Sequence, residues 1–139
     1  MDISSHTPAP NVSGIIDFRI TERDMAAFRR FSGGEGVGRG RTDRSSVVYG
    51  GLIVAQVSRL LGARLPGQRC VWRSFALTFL GPLHVGEVAT LTAHVIHLNE
   101  ERGLIDFRLR IDVDNRCIAE GEAAALLMHT PPNFPQAAA

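Results

Sequence analysis

Residues 104–113, LIDFRLRIDV, alternate without a break. Ile105, Phe107, Leu109 and Ile111 fall on one side, and Asp106, Arg108, Arg110 and Asp112 on the other. A period of two puts successive side chains on opposite faces of a strand. One face must then meet a core and the other water, which is the pattern of an antiparallel sheet. Three more strand-like runs accompany it: CVWRSFALTFLGP (70–82), EVATLTAHVIHL (87–98) and RCIAEGEAAALLM (116–128). Gly81-Pro82, the charged turn at 99–103 and Asp114-Asn115 divide them, so the second half of the chain predicts four antiparallel strands.

The first half supplies the layer that such a sheet must cover. GIIDFRIT (14–21) predicts a short strand. Thr21 then opens a helix, with Asp24 placed for a capping box and Met25 and Phe28 forming an apolar stripe. That helix runs into a break at Ser32-Gly33-Gly34. From Gly50 to Leu61, the residues Leu52, Ile53, Val54, Ala55, Val57, Leu60 and Leu61 cover nearly the whole circumference of a helix. The expectation is a helix buried on all sides, closed by Gly62 with Pro66 beyond. A strand is the rival assignment for so apolar a run, and its length favours helix. No internal repeat is visible. The fold class is therefore α+β: an antiparallel sheet curled round one long apolar helix, the hotdog architecture. The expectation is one domain over 15–129, with a flexible arm at 1–14 and a flexible tail at 130–139.

Composition excludes several functions. A 139-residue chain with 45% hydrophobic and 21% charged residues is an ordinary globular domain. A formal net charge of +1 gives no argument for a nucleic-acid or membrane partner. Lysine is absent and every Lys/Arg position is arginine, a sign of coding bias, so individual arginines are weak evidence for phosphate contacts. Cys70 and Cys117 lie inside strand-like runs. With no basic cluster or apolar segment in the opening residues, they predict free thiols in a reducing cytoplasm. The apolar run at 47–61 is too short to span a bilayer. His94 and His97 are three apart on a strand and are expected on opposite faces, and His84 has no ligand partner nearby in sequence. No metal and no cofactor are expected.

The glycine- and arginine-rich stretch RFSGGEGVGRGRTDRSS (30–46) runs directly into VVYGGLIVAQVSRLLGARLPG (47–67). Together with SFALTFLGPLHVGE, NEERGLIDFRLRI and IAEGEA, these segments resemble the MaoC-like hotdog family of (R)-specific enoyl-CoA hydratases and dehydratases. The order V-x-[HY]-G-x-L, then L-P-G, then F-x-x-P-[LV]-x-V-G-[DE] carries the resemblance over about residues 15–128. It implies a homodimer whose sheets join edge to edge. It also implies an acyl thioester of CoA or an acyl carrier protein, with the carbonyl on the backbone N–H groups of Gly50 and Gly51. Glycine there lets the thioester approach the backbone closely. The family's loop motif S-G-D-x-N-P-x-H-x-D is broken here: Gly34 stands at the aspartate position and Arg39 at the histidine position. Standard hydration therefore lacks its usual pair.

Replacement groups are few. Tyr49, just before the helix, is either a hydrogen-bond or proton donor to a developing enolate or a ring packed at the helix start. Glu35 and Asp43 are the loop carboxylates available as bases, set against ordinary solvated residues. Arg39, Arg41 and Arg44 suit CoA phosphates or a carrier-protein surface. Gln56 interrupts the apolar helix and either bonds locally or lines the pocket. It also resembles the helix glutamine of type II acyl-CoA thioesterases, although those usually carry two fused hotdogs. Three functions stay open: an enzyme with a rewired hydratase-like site, a non-catalytic acyl-binding subunit, and a thioesterase.

Overall fold

The computed structural model describes residues 13–33, 46–64 and 70–128. Their order is β1 (Ser13–Arg19), α1 (Glu22–Ser32), α2 (Gly50–Arg59), a π-helical turn (Leu60–Arg64), β2 (Cys70–Phe79), β3 (Val88–Asn99), β4 (Leu104–Val113) and β5 (Arg116–Leu127). The five strands form one antiparallel sheet in the order β1-β3-β4-β5-β2. Its connections follow local chemistry. Asp114 and Asn115 both adopt positive φ, 48° and 64°, the two-residue turn that matches the twist of a hairpin. Thr21 and Asp24 cap α1 reciprocally through side chain and backbone, and Gly33 closes it at φ 75°.

The core lies on one face of the sheet. Ile16, Phe18, Leu91, Val95, Ile105, Phe107, Leu109, Ile111 and Ile118 turn inward to meet Ile53 and Val57 of α2 and Leu60 and Leu61 of the turn. Two helix expectations change. Residues 53, 57, 60 and 61 form a single buried stripe, whereas Ala55, Ser58 and Arg59 are exposed and Leu52, Val54 and Gln56 half-buried. Among the described residues the sheet covers only one side of α2, which leaves its other apolar residues less buried. Gly62 does not end the helix but lies within the π turn. The wider turn lets consecutive Leu60 and Leu61 both reach the core, and the Cys70 thiol donates to the Leu61 carbonyl at 3.3 Å.

The histidine expectation also changes. In β3, Val95 pairs with Phe107 and His97 with Asp106, so Ile96 is an extra, bulged residue. A bulge resets the alternation. His94, opposite Arg108, and His97, opposite Asp106, therefore share the outer face. A second bulge at Arg73 interrupts β2, one of the two edge strands, and leaves Arg73 and Ser74 exposed.

Candidate functional site at the start of the second helix

The segment entering α2 is fastened to the connection between β2 and β3. The Val48 N–H donates to the Leu83 carbonyl at 2.7 Å and the Val85 N–H to the Ser46 carbonyl at 3.0 Å, which places Val47 opposite His84. The connection is itself tied down. The N–H groups of Leu80 and Gly81 both reach the Ile118 carbonyl, and the His84 N–H donates to Glu87 Oε1 at 2.8 Å. Gly86 turns the chain at φ 89° and donates its N–H to Ile20.

Between these two segments lies an apolar cleft of about 380 Å³, lined by residues from 47–53 and 79–83. Ile53 and Leu83 form its buried floor, while Phe79 and Leu80, 46% and 56% exposed, stand at its rim. Gly50, the first residue of α2, lines it as well. The Leu52 N–H reaches the Tyr49 carbonyl at 3.0 Å. The Gly50 and Gly51 N–H groups belong to the first turn, which has no intrahelical acceptors and carries the positive end of the helix dipole. An apolar cleft that meets such a helix start suits a ligand with a carbonyl oxygen at one end and an aliphatic chain at the other.

The two glycines meet different demands. A Cβ on Gly50 would touch the Phe79 ring at 3.7 Å, an ordinary contact. A Cβ on Gly51 would lie 2.6 Å from Cζ of Phe28, so α1 needs glycine there to dock. Phe28 also stacks on Tyr49, with ring centroids 5.4 Å apart and planes 28° apart. Next to it, Arg29 Nη1 donates to Tyr49 Oη at 3.2 Å. Tyr49 is the N-cap of α2 without a capping side-chain bond. Its half-buried ring faces α1, and it is not among the residues that line the cleft.

The other predicted residues distribute as follows. Glu35, Arg39, Arg41, Asp43 and Arg44 lie outside the described residues. Gln56 is half-buried and does not line the cleft; its Oε1 accepts from Arg59 Nη1 at 3.1 Å, a local bond along the helix surface. Sequence reasoning used Phe28 only as part of an apolar stripe and missed Arg29 altogether. The Phe79-Leu80-Gly81-Pro82-Leu83 wall was visible only as a motif. Among the described residues, no three His, Cys, Asp or Glu side chains are grouped to hold a metal ion. No helix among them is long and apolar enough to cross a membrane.

Comparison with known proteins agrees with this geometry. Residues 45–118, more than half of the chain, match the family model described as the thioesterase superfamily. An (R)-specific enoyl-CoA hydratase of Rhodospirillum rubrum is 30% identical over 84 residues, 60% of this chain and 58% of that protein. An (R)-specific enoyl-CoA hydratase of Aeromonas caviae is 32% identical over 82 residues, 58% of this chain and 61% of that protein. In both cases the chain spans less than two thirds of the relative's length. The solved structure of the (R)-hydratase from A. caviae involved in PHA biosynthesis superposes with a TM-score of 0.77 at 24% identity, covering 87% of this chain and 98% of that one. The relatives support the resemblance to MaoC-like hydratases, the superposition fixes the hotdog fold, and the family match gives the conclusion: this chain belongs to the thioesterase superfamily.

Proposed function

We propose that the chain binds an acyl thioester, of CoA or of an acyl carrier protein, at the start of α2. It acts on that thioester as a hydratase- or dehydratase-type lyase, or as a related isomerase or cyclase, with a rewired site. The observation that carries this function is the α2 N-terminus opening onto the apolar cleft. The thioester oxygen meets the Gly50 and Gly51 N–H groups, and the acyl chain runs toward Ile53 and Leu83. Acid–base groups then come from Glu35, Asp43 or Tyr49, since Gly34 and Arg39 replace the family's pair. Arg39 and Arg41 are the proposed contacts for the phosphates of CoA or a carrier protein. A second copy paired along β2 would cover the exposed Val71, Phe79 and Leu80, because a long apolar edge strand invites pairing. A cytoplasmic location agrees with the free thiols of Cys70 and Cys117.

A second function is favoured by one observation: no cleft-lining residue among those described carries a titratable side chain. On that basis the chain is a non-catalytic acyl-binding subunit. Calorimetry with butyryl-CoA, followed by assays of crotonyl-CoA hydration and of free thiol release, separates the possibilities. Saturable binding that Gly50→Val weakens by about tenfold, because the larger side chain fills the cleft mouth, supports the site. Hydration far below that of an ordinary hydratase agrees with the missing pair. Binding without turnover on any acyl thioester favours the subunit, and thiol release favours a thioesterase. No binding at all rejects the thioester function.

A further inference from the structure

The α2 N-terminus has two unlike flanks. Gly50 faces the apolar wall of Phe79, whereas Gly51 faces the ring of Phe28, and Phe28 in turn stacks on Tyr49. The Tyr49 ring, which does not line the cleft, thus stands with Phe28 on the other flank of the first turn. Its Oη accepts a hydrogen bond from Arg29 Nη1 at 3.2 Å. A guanidinium has donors only, so a phenol bonded to it must use an oxygen lone pair, which leaves the phenol's own proton for another acceptor. A charged donor on that oxygen also polarises the O–H and strengthens the bond it can give.

We infer that Arg29 is a positioning residue which, with Phe28 stacked beneath, holds Tyr49 Oη so that its proton is donated to a thioester ligand seated at the α2 N-terminus. This rests on the thioester function proposed above. Tyr49 and Arg29 then form the polar flank of the site, and Phe79 to Leu83 its apolar flank. The acceptor on the ligand is an oxygen near the reacting carbon, the thioester carbonyl or the neighbouring amide of its pantetheine arm. No bond is made or broken by Arg29; it fixes which hydrogen bond Tyr49 can give.

The test uses the fact that Tyr49 is the sole tyrosine in the chain. Labelling tyrosine with ¹³C at Cζ gives one resonance, sensitive to hydrogen bonding at Oη, which is followed during titration with butyryl-CoA. In the unmodified protein the ligand is expected to move that resonance. In Arg29→Gln the ligand-induced change should be lost and affinity should fall about fivefold, the effect of one hydrogen bond, while melting temperature stays within a few degrees. Arg29→Lys, which keeps a cationic donor, should restore part of both and serves as the folded control. Binding with an unmoved Tyr49 resonance overturns the donation from Tyr49, and a shift that persists in Arg29→Gln overturns the positioning by Arg29; either result leaves the thioester function standing. Failure of butyryl-CoA to bind the unmodified chain overturns the thioester function and this assignment with it.

Discussion

Strand β4 buries Ile105, Phe107, Leu109 and Ile111 completely and leaves Val113 only 2% exposed, whereas β2, also rich in apolar residues, buries none of its ten. The two differ in position more than in composition. β4 lies between β3 and β5, so its inner face is roofed by neighbours and by the α2 stripe. β2 has one neighbour, β5, and its Trp72 and Phe75 stack on each other at 5.1 Å while Phe79 and Leu80 stay open to solvent. Apolar area in β4 holds this fold together. Apolar area in β2 contributes much less within one chain, and it is there that the cleft forms. The free energy of burying such residues is still available to a ligand or a second copy.

Substitutions should separate these roles, and the largest effect is expected at the centre. Phe107→Ala removes a fully buried ring from β4 and should cost about 3–5 kcal/mol, read as a lowered denaturation midpoint. A loss below about 1 kcal/mol would break the contrast. Gly121→Ala tests the seam between the two regions. A Cβ there would lie 1.9 Å from the Ala76 carbonyl oxygen, a backbone atom that cannot yield unless β2 moves off β5. The expected cost is about 1–3 kcal/mol, with hydrogen exchange accelerated in β2 before β4.

The centre was easy to read from sequence because alternation in 104–113 and turn chemistry at Asp114-Asn115 are local. The same holds for the Thr21–Asp24 cap. What sequence hid was non-local. Residue counting put His94 and His97 on opposite faces, and the Ile96 bulge, set by pairing with β4, put them on one. Helix α2 looked buried all round because composition records which residues are apolar, not how many layers exist to cover them. At the site, the glycines before Leu52 were legible, but the reason for Gly51 lies in Phe28, 23 positions earlier in the sequence. Arg29 carries no local signal at all, since a basic residue in the last turn of a helix is ordinary.

A smaller effect on stability is expected at the rim. Phe79→Ala removes a ring that is nearly half exposed, so folding should lose no more than about 1 kcal/mol. Butyryl-CoA binding should weaken by about tenfold, since the ring forms one wall of the cleft. Calorimetry and thermal melts on one sample give both numbers. A large stability loss with unchanged binding would mean that β2 belongs to the core after all.

The smallest effect concerns the first residue of β2, where the strand is tied to the π turn. Burial pushes the Cys70 thiol above its ordinary value of 9.0. Its Sγ donates to the Leu61 carbonyl at 3.3 Å, a bond that only the neutral thiol can make. The folded state therefore holds this proton more tightly than the unfolded chain. The resulting stability is fully present below the ordinary thiol value and is lost as pH rises past it through the higher folded one. The absence of lysine leaves few other groups titrating in that window. Melting temperature should thus decline as pH rises past the ordinary thiol value of 9.0, and Cys70→Ala should flatten that decline while lowering stability slightly at pH 7. Iodoacetamide should modify Cys70 more slowly in the folded chain than after unfolding in urea, because the thiolate is the reactive form. Equal rates, or a pH slope that survives Cys70→Ala, would show that the start of β2 is as open as its far end, and that the difference between the two strands begins at Cys70.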